Sequence, residues 1–175
     1  MHELFEIFDD DGNPRGLAAR PRVHTLGLWH KSAHVFLFDS QDKLYVQLRA
    51  ADKDLYPNLW DYSVGEHLQP GEGFHDAALR GLMEELGVEG VSVQALGAIR
   101  PSRFEIAELG LRDHELQQAY RAIYDGAIHP DPVEVAEVRR TPLAELARWI
   151  DDEPERFTPW FLRDLHELGL LPHES

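Results

Sequence analysis

The chain has 175 residues, of which 43% are hydrophobic, and this suits one domain with a single core better than two domains. Its formal net charge of -15, from 32 acidic and 17 basic residues, argues against nucleic acid or an acidic membrane surface as a partner. The absence of cysteine excludes disulfides, thiolate zinc sites and a cysteine nucleophile.

The sequence gives no sign of a targeting or membrane segment. Residues 1–16 are acidic and lack the basic-then-apolar order of a signal peptide. No stretch approaches the roughly 18 apolar residues that a membrane-spanning helix requires. We therefore expect a soluble, cytoplasmic protein.

The first half of the chain alternates strand patterns with turn residues. The pattern predicts a strand at LFEIF (4–8), a turn at DDDGNPRG (9–16) and a β-hairpin over residues 30–49. A loop rich in proline and glycine follows over residues 50–73, with a short strand predicted at 60–64.

The second half begins with a change to helical periodicity. Residues 75–86 are predicted to form a helix that ends at Gly87, a favourable C-terminal cap. Further strands are predicted at 91–99 and 116–126, and helices at 142–150 and 158–168. Strands around one central helix, with helices at the end, predict an α/β sandwich with a mixed sheet.

The central helix is predicted to be amphipathic. Its large apolar side chains cluster on one side and are expected to face the core, whereas Arg80, Glu84 and Glu85 fall on the other side. The apolar set consists of Leu79, Leu82, Met83 and Leu86.

Glu84 and Glu85 lie in the last helical turn, where each acidic side chain opposes the helix dipole by about 0.3 to 1 kcal/mol. A solvated surface with one Arg80–Glu84 ion pair is one interpretation. A bound divalent cation is the other, because it would compensate both charges. The glycine-rich loop before the helix would let backbone carbonyls approach such an ion.

Residues 72–88 resemble the Nudix box. That motif runs glycine, five variable residues, Glu, seven variable residues, Arg-Glu, an aliphatic, any residue, Glu-Glu, any residue, Gly and an aliphatic. Here Glu72 is followed by seven residues and then by RGLMEELGV. The flanking segment 44–72 is similar to the Nudix branch related to isopentenyl diphosphate isomerase.

The resemblance implies a Nudix-type α/β/α sandwich with a mixed central sheet and one central Nudix helix. It also implies a single domain over residues 1–175, with the box at 65–88 and C-terminal helices at about 142–170.

Two positions depart from the motif. Glu66 stands at the first glycine of the box, although Gly65, one place earlier, could still offer its carbonyl to a metal. Gly81 stands where the motif has a glutamate directly after Arg80, so the site loses one carboxylate. A weakened metal site, a substitute ligand from elsewhere and a loss of catalysis are all compatible with this change.

The resemblance implies a hydrolase that cleaves a diphosphate bond in a nucleoside diphosphate derivative by water attack on phosphorus. It implies Mg²⁺ or Mn²⁺ as the cofactor, a small-molecule diphosphate as the substrate, and a homodimer as a weaker expectation. Arg80 would orient a glutamate. The implied metal ligands are Gly65, Glu72, Glu84 and Glu85.

Five further residues are considered for the same site. Glu115 is a candidate for an extra metal ligand or the general base, and a surface strand position is the alternative. Arg49 and Lys53 lie where they could bind a substrate phosphate, with solvated surface charge as the alternative. His34 and His67 flank the expected site, and both are interpreted as structural residues rather than ligands.

Two other functions remain open. An isopentenyl diphosphate isomerase is disfavoured, because the resemblance implies a catalytic cysteine just before the box, where this chain has DYSVGEH over residues 61–67. A catalytically silent domain that binds a nucleotide or regulates a partner is favoured only by Gly81.

Overall fold

The structure is a computed structural model that describes residues 3–172. Its strands are β1 (Leu4–Phe8), β2 (Pro14–Ala19), β3 (His30–Phe38), β4 (Lys43–Arg49), β5 (Trp60–Asp61), β6 (Val64–His67), β7 (Gln94–Ile106), β8 (Leu111–Ile123) and β9 (Val135–Pro142). Its α-helices are α1 (Arg20–Leu26), α2 (Phe74–Leu86), α3 (Leu143–Asp152) and α4 (Pro159–Glu167). Within the described range, no helix is long and apolar enough to cross a membrane.

The central sheet is mixed, as predicted. Its strands run in the order β5-β4-β3-β8-β7, with β6 also paired to β3 and β9 to β4. β3 and β8 are parallel, and the remaining pairs are antiparallel. β3 and β4 form the predicted hairpin but pair only at Phe38 and Leu44, and β6 pairs with β3 over residues 32–35. β1 and β2 form a separate two-stranded ribbon.

Alternation along β3 supplies the apolar cores on both faces of the sheet. Val35 and Leu37 belong to the cluster that includes the buried side chains of α2. Phe36 and Phe38 belong to the other cluster, which includes side chains of α3 and α4. Because successive side chains of a strand point to opposite faces, helices cover the sheet on both sides. The predicted sandwich is therefore confirmed.

Helix α2 has the predicted extent, and its core face is the predicted one at Leu82 and Leu86, which are fully buried. It ends at Gly87, which adopts a left-handed conformation with φ 65°. Met83 is 44% exposed rather than buried, and Glu85 is only 7% exposed. The helix turns small residues toward the sheet, so closely that a Cβ on Gly81 would lie 2.6 Å from Val64 Cγ1. Its buried residues are Ala77, Ala78, Gly81, Leu82, Glu85 and Leu86.

Several predicted boundaries move. The strand predicted at 60–64 is divided into β5 and β6, and the strand predicted at 91–99 begins at Gln94 and continues to Ile106. The C-terminal helices begin close to their prolines, since Pro142 is the N-cap of α3 and Pro159 is the first residue of α4.

Candidate active site

A cleft lies beside β6, the end of α2 and the loop after β4. An open part of about 520 Å³ leads to an inner cavity of about 80 Å³, and residues such as Gly65 and Glu85 border both spaces. Seven of the eight residues predicted for the site line these spaces, and Glu72 does not. The seven are Arg49, Lys53, Gly65, Arg80, Glu84, Glu85 and Glu115.

The two adjacent glutamates of α2 lie in different environments. Glu85 points toward the sheet and accepts a hydrogen bond from Gln47 Nε2 at 2.8 Å. Burial, with the charge of Glu66 as a second cause, raises the pKa of Glu85 to about 8. The side chain of Glu84 is 49% exposed, and its carboxylate lies 3.2 Å from Arg80 Nη1. Of these two glutamates, Glu85 therefore carries the buried carboxyl group that a cation would stabilise strongly.

Arg80 connects the loop before α2 to the helix. Its Nε and Nη2 donate to the two carboxylate oxygens of Glu72 at 2.8 and 2.9 Å, and Nη2 also donates to the His67 carbonyl at 2.8 Å. Such a bidentate interaction fixes both the position and the orientation of the carboxylate. Glu72 is thus held as the ion-pair partner of Arg80, and its role as a metal ligand stays a prediction.

The two departures from the box lie against each other. A Cβ on Gly81 would lie 3.1 Å from Glu66 Cβ, so the side chain of Glu66 lies over the position where the helix lacks one. Burial raises the pKa of Glu66 to about 7, although Arg80, 3.1 Å away, opposes this shift. The helix loses a carboxylate at one position, and β6 supplies another at nearly the same place.

A second group of side chains that could bind a metal lies at the inner side of the cleft. It contains three histidines and two carboxylates, from α1, β3, the end of β6 and β8. The group consists of His24, His30, His67, Asp113 and Glu115. The sequence did not predict this group, and His67, which was interpreted as a structural residue, is one of its members. The alternation of Asp113 and Glu115 on one strand was the only local signal.

This histidine-carboxylate cluster fits a metal ion. Among the described residues, His24 Nε2, His30 Nε2 and Asp113 Oδ1 are buried without a hydrogen-bond partner. Asp113 Oδ1 lies 3.6 Å from His24 Nε2 and 3.4 Å from His30 Nε2. Ligands about 2.1 Å from a tetrahedral ion stand about 3.4 Å apart. Asp113 Oδ1 therefore stands at the distance of a fellow ligand from each of the two histidine nitrogens.

The pKa values of the cluster are shifted in different directions. Burial, reinforced by the neighbouring histidines, lowers the pKa of His24 to about 3 and leaves its ring neutral at neutral pH. Burial favours the protonated form of Glu115, but the neighbouring rings of His30 and His67 hold its pKa well below the usual value. Burial opposes the charged form of His30, but Glu115 and Asp113 raise its pKa, and burial raises the pKa of Asp113 to about 7. Neutral imidazoles and ionised carboxylates are the forms that bind metals, so a bound ion would displace protons from His30 and Asp113.

The contacts of Glu115 favour a ligand over a general base. One oxygen, Oε2, accepts from Ser32 Oγ at 3.0 Å and from Gln117 Nε2 at 2.6 Å. The other, Oε1, lies 3.1 Å from His67 Nε2. A carboxylate held by this many donors is a weak proton acceptor.

Arg49 and Lys53 stand at the mouth of the cleft, and each already has a partner. Arg49 donates to the Leu55 carbonyl from Nε at 3.2 Å and from Nη2 at 2.9 Å, which fixes the loop after β4. Its Nη1 lies 3.3 Å from Asp61 Oδ2. Lys53 pairs with Glu134. Their role in binding substrate stays a prediction.

Comparisons with known proteins define the class. The family model of the NUDIX domain matches residues 28–161, so the chain belongs to the Nudix family. The isopentenyl-diphosphate Delta-isomerase of Burkholderia multivorans is 36% identical over 172 residues, which cover 97% of this chain and 95% of that protein. The protein of the same name from Serratia proteamaculans is 34% identical over 170 residues, with 97% and 93% covered.

The solved structures agree on the fold. The DR0079 protein of Deinococcus radiodurans matches with a TM-score of 0.68 at 24% identity, covering 86% of this chain and 90% of that one. The predicted membership of the family, in the branch similar to isopentenyl diphosphate isomerases, is confirmed.

Proposed function

We propose that the protein is a metal-dependent hydrolase that cleaves a diphosphate bond in a nucleoside diphosphate derivative by water attack on phosphorus. The observation that carries the proposal is the composition of the cleft. Buried carboxylates, led by Glu85, face a space that two cationic side chains, Arg49 and Lys53, also border, and the chain offers no thiol. Carboxylates and cations in one cleft suit a diphosphate bound together with a divalent metal.

Different residues of the cleft would bind the metal ion and the phosphate groups. Glu85 and Glu84 would hold Mg²⁺ or Mn²⁺, with the Gly65 carbonyl nearby and Glu66 replacing the carboxylate that is absent at position 81. When bound, such an ion neutralises phosphate oxygens and lowers the pKa of water. Arg49 and Lys53 pair with the remaining phosphate charge. The water oxygen forms the new bond to phosphorus, the bridging P–O bond breaks, and the proton of the water passes to a carboxylate.

The histidine-carboxylate cluster suits a different metal. Its mixed imidazole and carboxylate donors match a transition metal such as Zn²⁺ or Mn²⁺ better than Mg²⁺, which prefers oxygen ligands. Glu115 would serve there as a ligand. The protein would then have two metal sites, one at the glutamates of α2 and one at the histidine-carboxylate cluster.

Isomerisation of isopentenyl diphosphate is the second candidate, and the 36% identity to a named isomerase over nearly the whole chain favours it. The chemistry of the chain opposes it. The resemblance implies a cysteine for proton transfer in the segment just before the box, and residues 61–67 contain none. The isomerase assignment would need another acid to protonate the double bond.

A metal-dependent panel distinguishes these functions. The protein is incubated with Mg²⁺ or Mn²⁺ and with nucleotide sugars, dinucleotides, dinucleoside polyphosphates or isopentenyl diphosphate. We expect phosphate-bearing products from at least one nucleoside diphosphate derivative. The rate should fall at least about a hundredfold in Glu85→Gln and stay unchanged in the matched control Glu89→Gln, whose side chain lies outside the cleft.

Three results would contradict the proposal. Equal rates in the wild type and Glu85→Gln would remove Glu85 from the site. Formation of an isomer of isopentenyl diphosphate, with its diphosphate intact, would favour the isomerase. Binding of a nucleoside diphosphate derivative without any product would favour the silent domain.

A further inference from the structure

Buried polar side chains, joined by hydrogen bonds, line the inner end of the cleft. Ser32 and His34 of β3 and Tyr62, between β5 and β6, all border the inner cavity. His34 is only 2% exposed. Its Nδ1 lies 2.9 Å from Asp164 Oδ2, and its Nε2 lies 3.1 Å from the Tyr62 hydroxyl and 3.2 Å from Ser32 Oγ. The imidazole therefore connects a buried carboxylate of α4 to two hydroxyl groups at the cavity wall.

Packing alone does not account for this network. His34 lies on the same face of β3 as Phe36 and Phe38, which fill the core with apolar rings. At His34 the chain instead buries an imidazole and a carboxylate, and it supports Asp164 with Arg100 Nη2 at 3.1 Å. Replacing such buried ionic groups with apolar residues of similar volume is often neutral or stabilising. The network is therefore better explained by what it presents to the cavity.

Gly65 brings the Tyr62 hydroxyl to this wall. A Cβ at position 65 would lie 2.5 Å from Tyr62 Cε2 and 3.1 Å from its hydroxyl oxygen, so any other residue would displace the ring. The ring stacks on His34 with its centroid 4.3 Å away. The glycine thus lets a phenol lie flat across the strand, with its oxygen beside the imidazole.

The hydroxyl groups of Ser32 and Tyr62 can each form a further hydrogen bond. Ser32 Oγ donates to Glu115 Oε2 at 3.0 Å, so Tyr62 is the hydroxyl available to donate to His34 Nε2 when Nδ1 carries the proton. Both hydroxyl oxygens then keep acceptor lone pairs. If both ring nitrogens are protonated, Nε2 donates instead and the Tyr62 hydroxyl becomes a free donor. In either state the wall can bind one more hydrogen-bonding group.

We propose that Tyr62 and Ser32 select a hydroxyl-bearing substituent on the diphosphate substrate and reject a hydrocarbon of the same size, with His34 and Asp164 as positioning residues. This inference rests on the proposed function and narrows its substrate class. The inner cavity of about 80 Å³ has room for a small part of a sugar rather than a whole nucleoside. A hydrocarbon there would leave the remaining hydrogen-bonding capacity of the two buried hydroxyl groups unsatisfied.

The test compares two diphosphates with one carbon skeleton. Isopentenyl diphosphate is matched with its hydrated counterpart, in which water added across the double bond gives a tertiary alcohol. Their dissociation constants are measured by calorimetry with Mg²⁺ present. We expect the alcohol to bind at least about tenfold more tightly to the wild-type protein. In Tyr62→Phe, which keeps the ring, the preference should fall below about threefold, and isopentenyl diphosphate should bind at least as tightly as it does to the wild-type protein.

The matched control is Tyr45→Phe, which removes another buried hydroxyl far from the cleft and should keep the full preference. If Tyr62→Phe fails to fold, as judged by circular dichroism, Ser32→Ala takes its place with the same expected direction. Equal affinities in the wild type, a preference for the hydrocarbon, or no binding of either compound would overturn the inference. Binding needs no turnover, so this result is independent of whether the diphosphate bond is cleaved.

Discussion

Glu85 shows why one residue of α2 matters more to the cleft than its neighbour. Its carboxyl group is buried beside Gln47 and near Glu66, and its pKa is raised to about 8. Ionising a buried acid without a counter-charge is costly, whereas the exposed Glu84 keeps both water and Arg80. We therefore expect a bound cation to depend mainly on Glu85, with Glu84 contributing less.

A prediction at the same scale concerns Glu115. Glu115→Gln keeps the size of the side chain but removes the negative charge that faces His30 and His67. Turnover should fall at least roughly a hundredfold, because either a ligand or a general base is lost. Measuring bound metal together with the rate separates the two roles. Loss of Zn²⁺ or Mn²⁺ with activity identifies a ligand, retained metal identifies the base, and unchanged turnover removes Glu115 from the mechanism.

Gly81 allows a second prediction, on stability. A Cβ at this position would lie 2.6 Å from Val64 Cγ1, so Gly81→Ala forces β6 and α2 apart. Overpacking costs about 1 to 3 kcal/mol, and the better helix propensity of alanine returns up to about 1. We expect a net loss of about 1 to 2 kcal/mol in urea unfolding. With Val64→Ala added, the two losses should be less than additive, and strict additivity would contradict the contact.

At the scale of elements, α4 is attached to β5 by one buried carboxylate. Asp61 Oδ1 accepts from Thr158 Oγ1 at 3.0 Å, and Trp160 Nε1 donates to Asp61 Oδ2 at 2.9 Å. Thr158 is also the N-cap of α4 and accepts from the Phe161 amide. The same carboxylate contacts Arg49, so the attachment of this helix and the wall of the cleft share a residue.

Thr158→Val tests this attachment. It keeps the shape of the side chain but removes both the cap and the bond to Asp61, so unfolding should become easier by about 1 to 2 kcal/mol. Thr25→Val, at an exposed position of α1, is the control and should change stability by less than about 0.5 kcal/mol. Equal effects in urea titrations would contradict a special role for the buried contact.

Elements differ in how far the sequence predicts them. The period and the capping glycine of α2 are local, so its ends were predicted correctly, and the box residues that it carries reach the cleft together. The face of α2 was predicted correctly at Leu82 and Leu86, which are buried. It was predicted wrongly at Met83 and Glu85, because the helix packs against β6 through Gly81. The histidine-carboxylate cluster was not predicted. It depends on the pairing of His30 with Glu115 between parallel strands and on α1, and no local pattern encodes either.

At the scale of the whole molecule, the metal site should contribute to stability. The histidine-carboxylate cluster joins α1, β3, β6 and β8, so an ion bound there connects distant parts of the chain. At about 100 times its dissociation constant, a ligand stabilises the fold by about 2.7 kcal/mol. For a chain of this length we expect Zn²⁺ or Mn²⁺ to raise Tm by about 5 to 10 °C.

The matched variants for this prediction are His67→Gln, in the cluster, and His166→Gln, exposed on α4. The first should lose most of the increase in Tm, and the second should keep it. An excess of chelator should lower the Tm of protein purified with metal to the value of His67→Gln. An equal response of both variants to metal in differential scanning calorimetry would contradict a metal site in the cluster.

The central claim is that water attacks phosphorus and cleaves a diphosphate bond. The most direct measurement runs the reaction of the best substrate of the panel in ¹⁸O-labelled water and follows the products by ³¹P NMR. The proposed function predicts two phosphate-bearing products, with ¹⁸O in only one of them and no reaction without metal. Products without the label, or isomerisation of isopentenyl diphosphate with every P–O bond intact, would contradict it.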